Sequence, residues 1–393
     1  MAELKEWSRS ALDISRYLRP GKNRIDNFRY NRLLELLQHA YCNVPFYKRW
    51  FRDAGIQPRD IQRESDLANL PPVSKIDMKQ AAQEDLLTRG SRSETLVKNA
   101  TTGSTGIPFI VLRNRREDFY FHLLRMRIMF YYGLRMTDRM LKIKTGVNKD
   151  IPLSWKILKK LGVFRQSILG TEQPPEVLAK AILKESPGVI TGYTGLMARV
   201  AQILAESDRY LSPPRFLVGG ADVMTSFVRE IIQKGFRCRA FDTYETNETG
   251  PIAWECKETG LYHLCDDGVI VEILRDGKPV KEGEKGEVVV TALNSRTMPF
   301  IRFKLGDFVT AGPRECPCGA PFATIRCIQG KIQDYFRLPD GREFYPWEIS
   351  HQIFRLVDKI MCYQIVQETA DKICLYIVPA GDFSGREAES LRN

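Results

Sequence analysis

The stretch Arg215-Phe-Leu-Val218-Gly219-Gly220-Ala221-Asp222 decides the fold. Phe216, Leu217 and Val218 form an apolar run that ends at two glycines, and a helical pattern from Ser226 to Lys234 follows. A short apolar run that turns sharply into a helix reads as a strand buried on both faces. The same unit stands just upstream, where Gly188-Val-Ile-Thr-Gly192-Tyr193 leads into a helix at Leu196 to Glu206. Repeated strand–turn–helix units predict an α/β fold with a mostly parallel sheet wrapped by helices.

Outward from this core the pattern changes twice. Downstream, Val269 to Leu274 and Glu287 to Leu293 are β-branched runs that read as a hairpin, with Asp276-Gly277 supplying the turn. Upstream, Arg116 to Tyr132 is a long aromatic-rich helix stopped by Gly133. Before it, Thr95 to Ala100 and Phe109 to Leu112 are strand-like and flank Thr101-Thr102-Gly103-Ser104-Thr105-Gly106. Residues 1 to about 85 read as short helices, at Asn31 to Tyr41, up to Ala54 and from Asp77 to Glu84. From about Gly330 the text becomes a small hairpin around Pro339-Asp340-Gly341, a helix at Trp347 to Val357, strands at Met361 to Gln367 and Ile373 to Val378, and a polar helical tail. The division expected is a large domain over 1–329 and a small α+β domain, cut short, over 330–393.

Composition narrows the function class. The chain has 393 residues, 43% hydrophobic and 27% charged, which is ordinary for a soluble globular enzyme. Its net charge of +11 is partly local: Arg139 to Arg165 carries eight Lys or Arg against the single acid Asp150. Such a run is either a solvated face or a patch that attracts nucleotides and other anions. No nucleic-acid motif accompanies it, so nucleic acid is not the expected partner. Nine cysteines, an odd number on a long chain, do not form a secreted disulfide framework. Neither an apolar signal core nor a membrane-length run is present, so the expectation is a cytoplasmic protein with reduced thiols and no membrane partner.

Three sets of residues carry candidate chemistry. The two glycines and four hydroxyls of residues 101–106 can bring backbone N–H groups and side chains to phosphate oxygens, although a plain hairpin turn reads the same way. Tyr244 with Glu248 four residues later, and Asp307 after Gly306, can be an aromatic for a base, an oxygen ligand for Mg²⁺ and a carboxylate for ribose hydroxyls. Each is equally readable alone as a core aromatic or a surface acid. Cys256, His263, Cys316 and Cys318 offer the four N/S ligands that a closed zinc site prefers, with Cys265 as a possible substitute. The remaining residues Cys42, Cys238, Cys327, Cys362 and Cys374 read as small buried hydrophobes, and His39 as packed rather than catalytic.

In this order, a phosphate loop, Gly-Gly-Ala-Asp, Tyr-x-x-x-Glu, Gly-Asp and a Gly-Lys-x-x-Asp junction, the chain resembles the adenylate-forming superfamily of acyl-CoA ligases and adenylation domains. The phenylacetate–CoA ligase-like branch, with its capsule-associated CapK proteins, is nearest, and Ala40-Tyr41-Cys-Asn-Val-Pro45-Phe-Tyr47 is similar to its opening. The resemblance implies a large multi-sheet domain, a small C-terminal domain and a zinc-bearing insertion at about 254–320. It implies ATP-dependent activation of a small carboxylic acid to an acyl-adenylate, then transfer to CoA or to an amine. A homodimer is an allowed assembly. In this reading Thr101, Thr102, Gly103, Ser104, Thr105 and Gly106 hold the ATP phosphates. Gly219, Gly220 and Ala221 line the adenine, Tyr244 stacks on it and Asp307 binds the ribose. Glu248 ligates Mg²⁺, while Lys331 and Asp334 form the interdomain hinge. Some members of the branch carry a zinc set like Cys256, His263, Cys316 and Cys318. The chain departs from the family at Ile107, where a lysine is often found, at Glu245 for Gly, at Asn247 for Thr and at Lys331 for Arg. No residue before Asn393 matches the family's late lysine, so a nucleotide-binding protein without catalysis is the alternative.

Overall fold

The computed structural model describes residues 22–100, 109–145, 165–207, 212–331, 336–344, 359–379 and 383–391, with the single residues 162, 353 and 356. In chain order the elements begin with helices α1 (Lys22–Asn43), α2 (Pro45–Asp53), α3 (Lys75–Gln80) and α4 (Gln83–Leu86). Strands β1 (Val97–Ala100) and β2 (Ile110–Arg113) precede α5 (Arg115–Tyr132), then β3 (Arg139–Lys144) and β4 (Arg165–Gly170). The units α6 (Pro175–Glu185), β5 (Val189–Tyr193), α7 (Thr194–Glu206), β6 (Phe216–Gly220) and α8 (Ser226–Phe236) follow. A run of strands comes next: β7 (Arg239–Thr246), β8 (Gly250–Glu255), β9 (Tyr262–Leu264), β10 (Val269–Arg275), β11 (Lys278–Pro279), β12 (Lys285–Ala292), β13 (Phe303–Ala311) and β14 (Thr324–Lys331). The last described elements are β15 (Phe336–Arg337), β16 (Glu343–Phe344), β17 (Ile360–Thr369), β18 (Lys372–Pro379) and α9 (Gly385–Ser390).

The chain divides into two compact units, Met1–Arg135 with Thr243–Ile328, and Met136–Asp242 with Gln329–Asn393. The second holds the α/β units read from the sequence. Its strands pair in parallel in the order β4-β3-β5-β6, and residues 239–242 of β7 add to β6. Leu141, Ile143, Ile190 and Leu217 fill its core with Met197, Ala201, Val228 and Ile232 from the helices. Helices α7 and α8 approach so closely that a Cβ on Gly235 would lie 2.1 Å from the carbonyl oxygen of Ala201. Gly235→Ala therefore lowers stability although alanine favours helix; a loss of about 1–3 kcal/mol, read as a fall of several degrees in Tm, is expected.

The expectation of a mostly parallel sheet fails in the first unit. There the order β11-β10-β12-β13-β14-β9-β8-β7 is antiparallel at every pair described, because short turns and no crossover helices join these strands. Asp276 (φ 51°) and Gly277 (φ 75°) make the predicted left-handed turn between β10 and β11, and β12 then pairs with β10. The long aromatic helix is present as α5, started by the Asn114/Glu117 capping box and stopped by Gly133 at φ 100°. The helix expected over Asp77 to Glu84 is broken at Ala81, whose extended backbone separates α3 from α4.

The N-terminal helices pack on this antiparallel body. Tyr47 is fully buried, donates to Pro299 O at 2.9 Å and accepts from Ile301 N–H at 3.0 Å. Val73 N–H donates to Arg302 O and Lys304 N–H to Val73 O, both at 2.8 Å. The Arg302 side chain forks onto Glu272 at 2.8 and 2.9 Å and reaches the carbonyl of Leu70. Two expectations for cysteines fail: Cys42 and Cys327 are exposed, one receiving the Gln38 amide and the other beside the Thr310 hydroxyl. Cys238 and Cys374 are only half-buried. The helix expected over 347–357, apart from the single residues 353 and 356, and the side chain of Cys362 lie outside the described residues.

Candidate functional site

Three of the nucleotide-site candidates lie in the first unit, on strands whose pairing fixes them. Tyr244 is near the end of β7, opposite Ala253 of β8, and Asp307 is on β13. The Tyr244 hydroxyl donates to Asp307 Oδ2 at 2.6 Å, joining residues 63 positions apart. Burial and the Asp307 charge hold the Tyr244 phenol well above its ordinary pKa, so it stays a donor. Glu248 follows in the turn between β7 and β8, nearly buried. Its Oε1 meets Lys75 Nζ, on the first turn of α3, at 3.0 Å. Lys75 also lies over the Phe109 ring, 5.7 Å from its centroid.

Gly219, Gly220 and Ala221 belong to the other unit, at the end of β6. Ala221 takes φ 69°, a left-handed conformation that turns the chain sharply. A Cβ on Gly219 would fall 2.4 Å from Met224 and 2.6 Å from Thr194, so only glycine fits. Thr194 donates to Gly220 O at 3.3 Å, and Gly195 N–H to Asp222 at 3.1 Å. The loop 101–106 and Asp334 lie outside the described residues. Lys331 closes β14, with only its backbone described.

The four candidate zinc ligands do converge. Cys256 follows β8, His263 is in β9, and Cys316 and Cys318 are in the β13–β14 connection. Pairing of His263 with Thr324 carries that connection beside β9. One donor atom from each of the four lies within 4.8 Å of every other. A tetrahedral zinc with bonds of about 2.0–2.3 Å needs ligand separations of about 3.5–4 Å, so a small contraction suffices. His263 is fully buried, its Nδ1 has no hydrogen-bond partner and its Nε2 is 3.5 Å from Cys318 Sγ. Four such donor atoms so close together could hold a metal ion. Trp254 stacks on the imidazole at 5.4 Å, and the Tyr131 hydroxyl donates to Cys256 Sγ at 3.6 Å. Burial opposes ionisation of Cys256, but hydrogen bonds from Thr259, Glu258 N–H and Tyr131 outweigh it and lower the thiol to about 5. Cys265 is not in the set. It is fully buried beside Arg127 and Asp267, and burial keeps it protonated.

No family model matches the chain. It is similar to phenylacetate-coenzyme A ligases of Escherichia coli, at 28% identity over 85% of this chain and 77% of the relative, and of Thermus thermophilus, at 26% over 85% and 76%. Protein CapK of Staphylococcus aureus is 23% identical over 89% of this chain and 78% of its own length. Among solved structures, 2-hydroxyisobutyryl-CoA ligase in the postadenylation state superposes with a TM-score of 0.76 at 20% identity, covering 96% of this chain and 83% of that one. The chain resembles the phenylacetate–CoA ligase-like branch of the adenylate-forming superfamily in sequence and shares the fold of an adenylate-forming CoA ligase. Here the cation beside Glu248 is Lys75, a residue the sequence analysis did not single out. The Ser74/Asp77 capping box that starts α3 was a signal for its position, though not for its partner. The Glu245 substitution likewise finds a partner, Arg125 of α5, at 2.8 Å.

Proposed function

We propose that the chain is an AMP-forming acid–CoA ligase. The carboxylate oxygen of the substrate attacks the α-phosphorus of ATP, the bond to pyrophosphate breaks, and an acyl-adenylate results. The thiol of CoA then takes the acyl group and AMP leaves. The Tyr244–Asp307 hydrogen bond carries the reading, because it aims a carboxylate from β13 beside an aromatic on β7, as recognition of a nucleoside requires. In this reading the Asp307 carboxylate takes the ribose hydroxyls. Glu248 is the residue that would hold Mg²⁺, which when bound offsets charge on the departing pyrophosphate. Lys75, already at Glu248, adds a second cation on that side. Residues 101–106 take the phosphates and Gly219 to Ala221 the adenine, while Lys331 marks the hinge of a small domain over 330–393. Cys256, His263, Cys316 and Cys318 hold a structural zinc. The chain works in the cytoplasm, with CoA rather than an amine as acceptor, a choice supported by the CoA ligases it resembles.

The test is acid-dependent exchange of pyrophosphate into ATP across a panel of aliphatic and aromatic acids, followed by CoA thioester formation. Exchange with at least one acid is expected. Asp307→Ala removes hydrogen bonds to a charged acceptor worth about 1.5–3 kcal/mol, so kcat/KM for ATP falls about 10–150-fold, mainly through KM. ATP bound without exchange for any acid, or exchange indifferent to Asp307, overturns the assignment.

A further inference from the structure

Arg113, the last residue of β2, is 4% exposed, and its Nε and one Nη have no hydrogen-bond partner among the described residues. Its nearest acid, Asp118, stays 3.7 Å away and half outside. Glu117 is committed elsewhere, accepting from the N–H groups of Asn114, Arg296 and Thr297. Arg113 instead lies over the Phe121 ring at 4.6 Å. That ring packs under Gly250, where a Cβ would come within 2.6 Å of it. Arg113 is therefore one aromatic ring removed from the turn that carries Glu248.

A second orphan shares its surroundings. Asn99 of β1 pairs with Val111 and Val97 with Arg113, so Asn99 and Arg113 project from one face of the two-stranded ladder. Asn99 Nδ2 is also buried without an acceptor. Arg125, the next cation, is taken by Glu245, the residue after Tyr244. Burial and the proximity of Arg125 lower the Arg113 guanidinium only to about 10, so it keeps its charge beside Asp118, Glu117 and Glu245. Buried donors with nothing to donate to are rare in folded proteins, and the ion pair of Arg113 with half-exposed Asp118 is long and leaves two of its nitrogens without an acceptor. What fits is an acceptor that arrives from outside, carries negative charge and presents oxygens to a guanidinium fork.

We infer that the acid activated by this chain carries a second anionic group, received by Arg113 and Asn99 beside the Tyr244–Gly250 segment while its first carboxylate reacts. The inference rests on the ligase reading for the fate of the first carboxylate, but not for binding. A dicarboxylate is the simplest such substrate, and a phosphonocarboxylate has the same chemistry in tetrahedral form. Glu245 tunes the site by holding Arg125 away from the incoming anion.

The experiment is calorimetric binding with ATP present, using dicarboxylic acids of three to eight carbons, their monocarboxylic matches and phosphonocarboxylates, alongside pyrophosphate exchange. At least one diacid is expected to bind at least 30-fold more tightly than its monoacid match. Arg113→Leu abolishes that preference without changing monoacid binding, and Arg113→Lys restores only part of it. Glu245→Gln frees Arg125 and tightens the diacid several-fold, a gain that misfolding cannot produce. Preference for the phosphonate over the diacid would assign a tetrahedral anion to the same residues. Equal binding of diacids and monoacids, or a preference unaffected by Arg113→Leu, overturns the inference. Arg113-dependent binding without any exchange would leave it standing and remove the ligase reading instead.

Discussion

One zinc per chain, lost to a strong chelator together with the native fold around residues 254–320, is the expected result of metal analysis and thermal unfolding. The physical reason is the company the four ligands keep. Cys256, His263 and Cys316 are buried, so without a cation three thiols and an imidazole must share a dry space. Zinc bound by thiolates contributes free energy that the loop alone has no way to supply: about 10–16 kcal/mol in small zinc-finger peptides. Here the strands β8, β9 and β14 hold three sides of the site, so only part of that sum is at stake. A fall of about 10 °C or more in Tm is expected, with the same fall for Cys316→Ser and none added by chelator in that variant. A protein that contains no zinc, or that keeps its Tm after zinc is removed, would show the cluster to be packed thiols.

Glu248→Gln carries the largest expected loss of activity. The amide keeps the shape but not the charge, so the residue no longer competes for Mg²⁺, and exchange falls about 10²–10³-fold, the rate equivalent of about 3–4 kcal/mol. Stability should change little, because Lys75 is one-third exposed and can turn to water when its partner is gone. Raising magnesium should recover part of the rate if the loss is in metal affinity. Exchange unchanged in Glu248→Gln would take this side chain out of the reaction, and a large fall in Tm would make it structural.

Local signals were legible because they involve neighbours in sequence. The stop at Gly133, the Asp276-Gly277 turn and the strand Phe216–Gly220 each depend on a few adjacent residues. The convergence of the Cys/His set was legible for a different reason: few residue types are common metal ligands, so type alone narrowed the choice. Pairings across the chain were not. Nothing near Glu248 announces Lys75, 173 positions earlier, and nothing near Glu245 announces Arg125 at a separation of 120. Those contacts exist only once α3 and α5 have docked on the sheet. The Val269–Leu274/Glu287–Leu293 hairpin was legible from its turn, but the antiparallel order of the other strands in residues 243–328 was missed because strand runs without intervening helices look alike until their turns are known. Exposed Cys42 was misread because a thiol's average preference for burial says nothing of which side of α1 faces water.

Tyr47 and Arg302 have a consequence for how the molecule is made. The carbonyl of Pro299 and the N–H of Ile301 are 252 and 254 residues beyond the phenol that serves them, and Leu70 stands 232 before the guanidinium that caps it. A ribosome must thus add more than 250 residues after Tyr47 before the partners of its hydroxyl are made. Until then Leu33, Leu36, Tyr47 and Phe51 lack the part of their core that Phe300, Ile301 and Phe303 supply. Nascent chains of this kind are natural clients for chaperones that shield apolar surface near the exit tunnel. The strand that bears Asp307 thus starts beside Val73, a partner made more than 200 residues earlier in the chain.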